Sequence, residues 1–113
     1  MNHVVIMKAT QSDLSTIYEL AIELVESVKD VEGVAKDVVY QNCQNALTNP
    51  NSYILVTETE GKVIGFISFM TRKTIMHSHP CALIDELVAS KRYRRKGVGK
   101  ELINVAIEEC KML

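Results

Sequence analysis

"LIDELVASKRYRRKGVGKELINVAIEEC", residues 83–110, runs from an apolar segment through a basic turn into a helical pattern. Its first part belongs to "CALIDELVA" (81–89), whose apolar residues on both sides of Asp85-Glu86 predict a strand in a central position. From about Gly97 onward, Val98, Leu102, Ile103, Ala106, Ile107 and Cys110 recur at helical spacing and predict an amphipathic helix. Between the two, "KRYRRKGVGK" (91–100) holds six Lys or Arg among ten residues, with Gly97 and Gly99 one residue apart. The glycines let the backbone approach a ligand closely, and the helix beginning there adds free N–H donors and the positive end of its dipole. Arg94, Arg95, Lys96 and Lys100 surround them with charge. A turn of this kind reads either as a site for phosphate or pyrophosphate or as solvated surface charge.

The remaining charge fits a compact anion better than a long polyanion. The chain has 113 residues with 13 basic and 14 acidic side chains, and all 14 acids lie outside residues 91–100. The positive field is therefore local. A nucleic-acid binder spreads Lys and Arg over a face, and bases need aromatic platforms, of which the basic stretch offers only Tyr93. No nucleic-acid partner is expected. A Walker loop fails because Arg94 stands where the first Gly belongs and Glu101 where Ser or Thr must hold magnesium. A dinucleotide fingerprint fails because only two of its three glycines are present.

Outward from this stretch, the chain reads as one α/β domain spanning 1–113. "HVVIMKAT" (3–10) is a short apolar strand. Leu14, Ile17, Leu20, Ala21 and Leu24 predict a helix capped by Ser12 or Asp13 and broken by "KDVEG" (29–33). Residues 35–48 form a weaker helix, "SYILVTE" (52–58) and "KVIGFISFMTRKTI" (62–75) a hairpin, and "HSHP" (77–80) a loop. The last helix ends at "CKML" with no Gly cap and no closing element. A C-terminally incomplete domain is the expectation, or one completed by a second copy, since an open strand edge predicts self-association and a homodimer. No apolar run approaches the roughly 20 residues that span a bilayer, so no membrane partner is expected. Three cysteines, Cys43, Cys81 and Cys110, at no framework spacing, and no secretion-like N-terminus, predict reduced thiols and a cytoplasmic location.

"RRKGVG" (94–99) fits the pattern Arg/Gln-x-x-Gly-x-Gly/Ala in Arg94, Gly97 and Gly99. It resembles the acetyl-CoA pyrophosphate loop of the GNAT superfamily of N-acetyltransferases. The longer stretch quoted above is similar to that family's fourth strand, loop and third helix in one continuous match. The resemblance implies an acyl-CoA N-acyltransferase fold, a mixed, mostly antiparallel sheet flanked by helices, here lacking the C-terminal strands. It implies transfer of acetyl from acetyl-CoA to a primary amine, with a small molecule as acceptor. Backbone groups of Leu87, Val88 and Ala89 would pair with the pantetheine arm. The loop from Arg94 through Arg95, Lys96, Gly97, Val98 and Gly99, with Lys100 close behind, would hold the pyrophosphate. Val98 serves equally well as a core anchor. The family's general base is commonly a fourth-strand carboxylate, which leaves Asp85 and Glu86. Adjacent strand residues face opposite sides, and Glu86 is favoured. A structural role, with the carboxylate satisfying a loop or paired to Arg72 or Lys73, is the competing expectation. The general acid would lie beyond residue 113.

Other features are weaker. His77 and His79 have no carboxylate or Cys pattern to complete a metal site, so no metal is expected, and an acceptor contact or a plain surface loop fits them equally. Tyr18, Glu19, Glu23 and Glu26 offer either an acidic rim for a cationic acceptor or a solvated helix face. Two alternatives stay open at this point: a non-catalytic acyl-CoA-binding domain, and a small nucleic-acid-binding module.

Overall fold

The computed structural model describes residues 4–28 and 34–113. Strand β1 (Val4–Lys8) leads through a 3-10 turn at Gln11–Asp13 into α1 (Leu14–Ser27). Helix α2 (Lys36–Thr48) and strands β2 (Ser52–Thr59), β3 (Lys62–Arg72) and β4 (Cys81–Ala89) follow. A second 3-10 turn, Lys91–Tyr93, precedes α3 (Val98–Lys111). The order matches the sequence reading, with β3 ending at Arg72, three residues short of the expected boundary. The break expected at "KDVEG" lies outside the described residues.

Local chemistry explains the boundaries. The Thr10 backbone N–H donates to the Asp13 carboxylate at 2.9 Å, so Asp13, not Ser12, ties down the start of α1. Glu60 and Gly61 both have positive φ, 52° and 76°, the two-residue turn whose twist matches an antiparallel hairpin. The hairpin then sets the register Thr59↔Lys62.

The sheet order is β1-β2-β3-β4, and each neighbouring pair is antiparallel. Helix α3 covers one face, burying Val98, Leu102, Ala106 and Cys110 on its i, i+4 row against Leu55, Ile67 and Phe69. Helices α1 and α2 cover the other face, where Ile17 and Leu20 meet Ile54, Val56, Phe66 and Val88. Strand β4 lies at the edge of this sheet, which corrects the central position expected for residues 81–89. Its apolar residues on both sides of Asp85-Glu86 are not all covered: Leu83 is 52% and Ile84 41% exposed.

Gly65 explains how β4 and α3 come close to β3. A Cβ there would lie 2.9 Å from the Val88 carbonyl oxygen and 3.0 Å from Val98 Cγ1. A lone Gly inside a strand run is the sequence signal of such an approach. Opposite it in the register is Thr57. Thr57 is 1% exposed, and its hydroxyl has no hydrogen-bond partner among the described residues. Removing an unpaired buried polar atom without changing shape relieves its desolvation cost. Thr57→Val is therefore expected to raise stability by about 1 kcal/mol, read as a higher urea midpoint at unchanged m-value. A lower midpoint would show that the hydroxyl is satisfied.

Candidate active site

The backbone leaves the sheet at Ser90, whose N–H donates to the Ile64 carbonyl at 2.8 Å. The Tyr93 N–H closes the next turn on the Ser90 carbonyl, also at 2.8 Å. Arg95 (φ 64°) and Gly97 (φ 84°) then take left-handed conformations, and the helix starts directly after Gly97. A left-handed residue followed by a right-handed one turns successive N–H groups toward one point, forming an anion-binding concavity. The concavity is about 380 Å³ and is lined by Leu87, Ala89, Tyr93, Arg94, Arg95, Gly97, Val98, Gly99 and Lys100. A Cβ on Gly97 would meet nothing within 4 Å, so that face is open to a ligand.

Two expected residues sit elsewhere. Val88 turns into the α1/α2 core at 2% exposure. Since the Ser90 N–H points to β3, alternation along an antiparallel strand points the Val88 backbone groups to β3 as well. Leu87 and Ala89 are left facing the open edge, and the Ala89 carbonyl there accepts a hydrogen bond from Arg94 Nε at 3.2 Å. Lys96 is drawn aside, its ammonium 5.6 Å from the centre of the Tyr93 ring. Val98 fulfils the core-anchor expectation at 2% exposure while also lining the concavity.

Glu23, on α1, holds this loop from the far side. Its Oε1 accepts the Lys91 backbone N–H at 2.6 Å and lies 3.9 Å from Arg94 Nη2. Sequence reasoning offered Glu23 only as part of an acidic rim or a solvated helix face, because the partners are 68 residues apart. Glu23→Ala is expected to cost about 1 kcal/mol, mostly the lost charge-assisted N–H bond, since the Arg94 pair is solvent-screened. Glu23→Gln keeps an acceptor, so its urea midpoint should fall between those of wild type and Glu23→Ala.

The acidic pair lies on an irregular part of β4. Ser68 pairs with Glu86 and Phe69 with Ile84, so Asp85 is the extra residue of a β-bulge. Strict alternation fails across a bulge, and the expectation that Asp85 and Glu86 face opposite sides has no basis there. Glu86 accepts a hydrogen bond from the Ser68 hydroxyl, not an ion pair from Arg72 or Lys73. With Asn42, Cys43 and Ser68 it forms the polar part of a cavity of about 200 Å³ between the sheet and helices α1 and α2. Asp85 does not line this cavity. Burial pushes the Cys43 thiol above its ordinary 9.0, and the Glu86 carboxylate adds to the rise. Cys43 is therefore a neutral thiol at physiological pH, not an activated nucleophile.

None of Tyr18, Glu19, Glu23 or Glu26 lines the cavity. Tyr18 packs edge-on against Tyr40 at 5.4 Å, and Glu26 lies 3.9 Å from Lys36. His77 contacts the Thr74 hydroxyl and His79 the Pro80 carbonyl, each within its own loop. Among the described residues no three His, Cys, Asp or Glu are grouped as a metal site requires. No helix among them is long and apolar enough to cross a membrane. Ser68 was missed as a site residue, although a Ser within the otherwise apolar "VIGFISFM" was a visible irregularity.

A concavity at a helix N-terminus thus lies beside an open strand edge. The sequence model described as the Acetyltransferase (GNAT) family matches residues 14–112, nearly the whole chain. The chain belongs to the GNAT acetyltransferase family, and its class of reaction is acetyl-CoA-dependent N-acetyl transfer. Solved structures agree on the fold. A possible acetyltransferase from Clostridium difficile 630 superposes with a TM-score of 0.82 at 23% identity, over 95% of this chain and 70% of that one. A ribosomal-protein-alanine N-acetyltransferase from Brucella melitensis biovar Abortus 2308 gives 0.78 at 17% identity, over 98% and 74%. The aminoglycoside enzyme AAC(6')-Iy, solved with a bisubstrate analogue of CoA and acetylneamine, gives 0.75 at 19%, over 98% and 73%.

Proposed function

We propose that this protein transfers acetyl from acetyl-CoA to the primary amine of a small molecule, with Glu86 as general base. The observation carrying the proposal is the layout of β4. Leu87 and Ala89 border the anion cradle, while Glu86, on the same strand, lines the cavity on the opposite face of the sheet.

In this reading the N–H groups from Gly97 to Gly99, with Arg95 and Lys100, hold the pyrophosphate. The outward backbone groups of Leu87 and Ala89 pair with the pantetheine arm. Acetyl-CoA supplies an activated thioester carbon. Glu86, oriented by the Ser68 hydroxyl, takes a proton from the acceptor ammonium. The neutral nitrogen then forms the new C–N bond as the C–S bond breaks; the thiolate leaves with the electron pair and takes up the second proton that the nitrogen sheds in becoming an amide. The open edge of β4, with Leu83 and Ile84 exposed, supports completion of the groove by a further strand, from beyond residue 113 or from a second copy. Cys43, Cys81 and Cys110 are all free, which supports a reducing cytoplasmic setting.

The test is calorimetric titration of acetyl-CoA, followed by release of free CoA thiol with a panel of amines. Saturable binding with amine-dependent thiol release is expected. Binding without release for any amine would favour the non-catalytic acyl-CoA-binding reading. Affinity for oligonucleotides that falls with rising salt, and none for acetyl-CoA, would overturn the proposal.

A further inference from the structure

The cavity beside Glu86 carries information about which amine it takes. Its walls are mostly apolar, Ile17, Leu24, Ile54, Phe66 and Val88 among them, and its polar lining residues are Glu86, Ser68, Asn42 and Cys43. Glu86 is the one carboxylate among the lining residues. Two of the acidic side chains on α1 are engaged elsewhere, Glu23 with the Lys91 N–H and Arg94 and Glu26 with Lys36, and the third, Glu19, does not line the cavity.

We propose that the acceptor is a primary monoamine with a compact apolar body, an arylalkyl or branched alkyl amine, and not a polycation. This rests on the reading of the Glu86 cavity as the acceptor site. The ammonium would sit at Glu86, where the Ser68 hydroxyl already orients the carboxylate. The apolar body would lie against Ile17, Ile54 and Phe66, three side chains at most 5% exposed. A cavity of about 150 Å³ holds one benzene ring. The space of about 200 Å³ here therefore admits a ring with a short aminoalkyl arm. A second ammonium would find no second carboxylate among the lining residues and would lie against mostly apolar walls, which is strongly unfavourable. The same argument disfavours aminoglycosides, whose several amines and hydroxyls need many polar partners.

The test compares 2-phenylethylamine and 3-methylbutylamine with spermidine and kanamycin, by thiol release and by binding titration with and without acetyl-CoA. The apolar monoamines should exceed the polycations at least tenfold in kcat/KM or in affinity. Val39→Phe narrows the cavity from α2, and Ala21→Leu narrows it from α1 should the first variant fold poorly. Either variant should weaken the monoamines at least tenfold with acetyl-CoA affinity unchanged. Polycations preferred over monoamines, with turnover intact, would overturn this inference and leave the acetyltransferase reading in place. Monoamine binding lost in Val39→Phe but never coupled to thiol release would uphold the cavity's selectivity and overturn its role in catalysis. Monoamines that neither bind nor react would overturn the inference outright.

Discussion

Replacing Gly97 with glutamate will abolish acetyl-CoA binding while leaving the fold in place. Gly97 sits at φ 84°, a conformation that costs a residue with a side chain about 1–2 kcal/mol. Because a Cβ there meets no atom within 4 Å, the new side chain has room and displaces no core group. It adds a carboxylate at a residue that lines the concavity. Backbone strain, lost donor geometry and repulsion between like charges all act against the pyrophosphate. A loss of at least 100-fold in affinity is expected by calorimetry, with near-native circular dichroism. Gly97→Ala carries the strain without the charge and should lose about tenfold or less, in line with the same conformational cost. Equal affinities for the wild type and Gly97→Glu would show that this loop does not hold the pyrophosphate.

Glu86→Gln is expected to lower kcat by about 10²–10⁴, the range for loss of a positioned general base. The amide retains an acceptor for the Ser68 hydroxyl, so packing around the cavity should survive the change. Acetyl-CoA affinity should stay within twofold, since Glu86 does not line the cradle. Asp85→Asn, at the bulge and outside the cavity lining, should change kcat only a few-fold. The contrast between the two neighbours carries the test. Equal losses in both variants would point to disruption of the bulge, and a loss confined to Asp85→Asn would reassign the base.

The sequence by itself determined the order of elements, the family and the position of the basic turn between β4 and α3. Helical spacing from Val98 to Cys110, the Glu60-Gly61 turn and the Arg94, Gly97, Gly99 pattern are all local signals. Each lies within a few residues, where backbone conformation is decided by neighbours along the chain. The sequence offered Glu86 over Asp85 as a preference only, and the argument from alternation that accompanied it fails at the bulge. The tertiary structure alone decided what depends on residues far apart in sequence. The bulge at Asp85 exists only in the register between β3 and β4. The hold of Glu23 on Lys91 joins α1 to the loop after β4, and the Ser68–Glu86 bond crosses a strand pair. Strand β4 reads as central from its composition, because apolar residues on two faces look the same whether or not a further strand pairs with it. Edge position is a matter of hydrogen-bond partners, which composition does not record. The apolar cavity beside Glu86 is likewise assembled from two helices and three strands, so its shape and its single carboxylate appear only when the chain is folded.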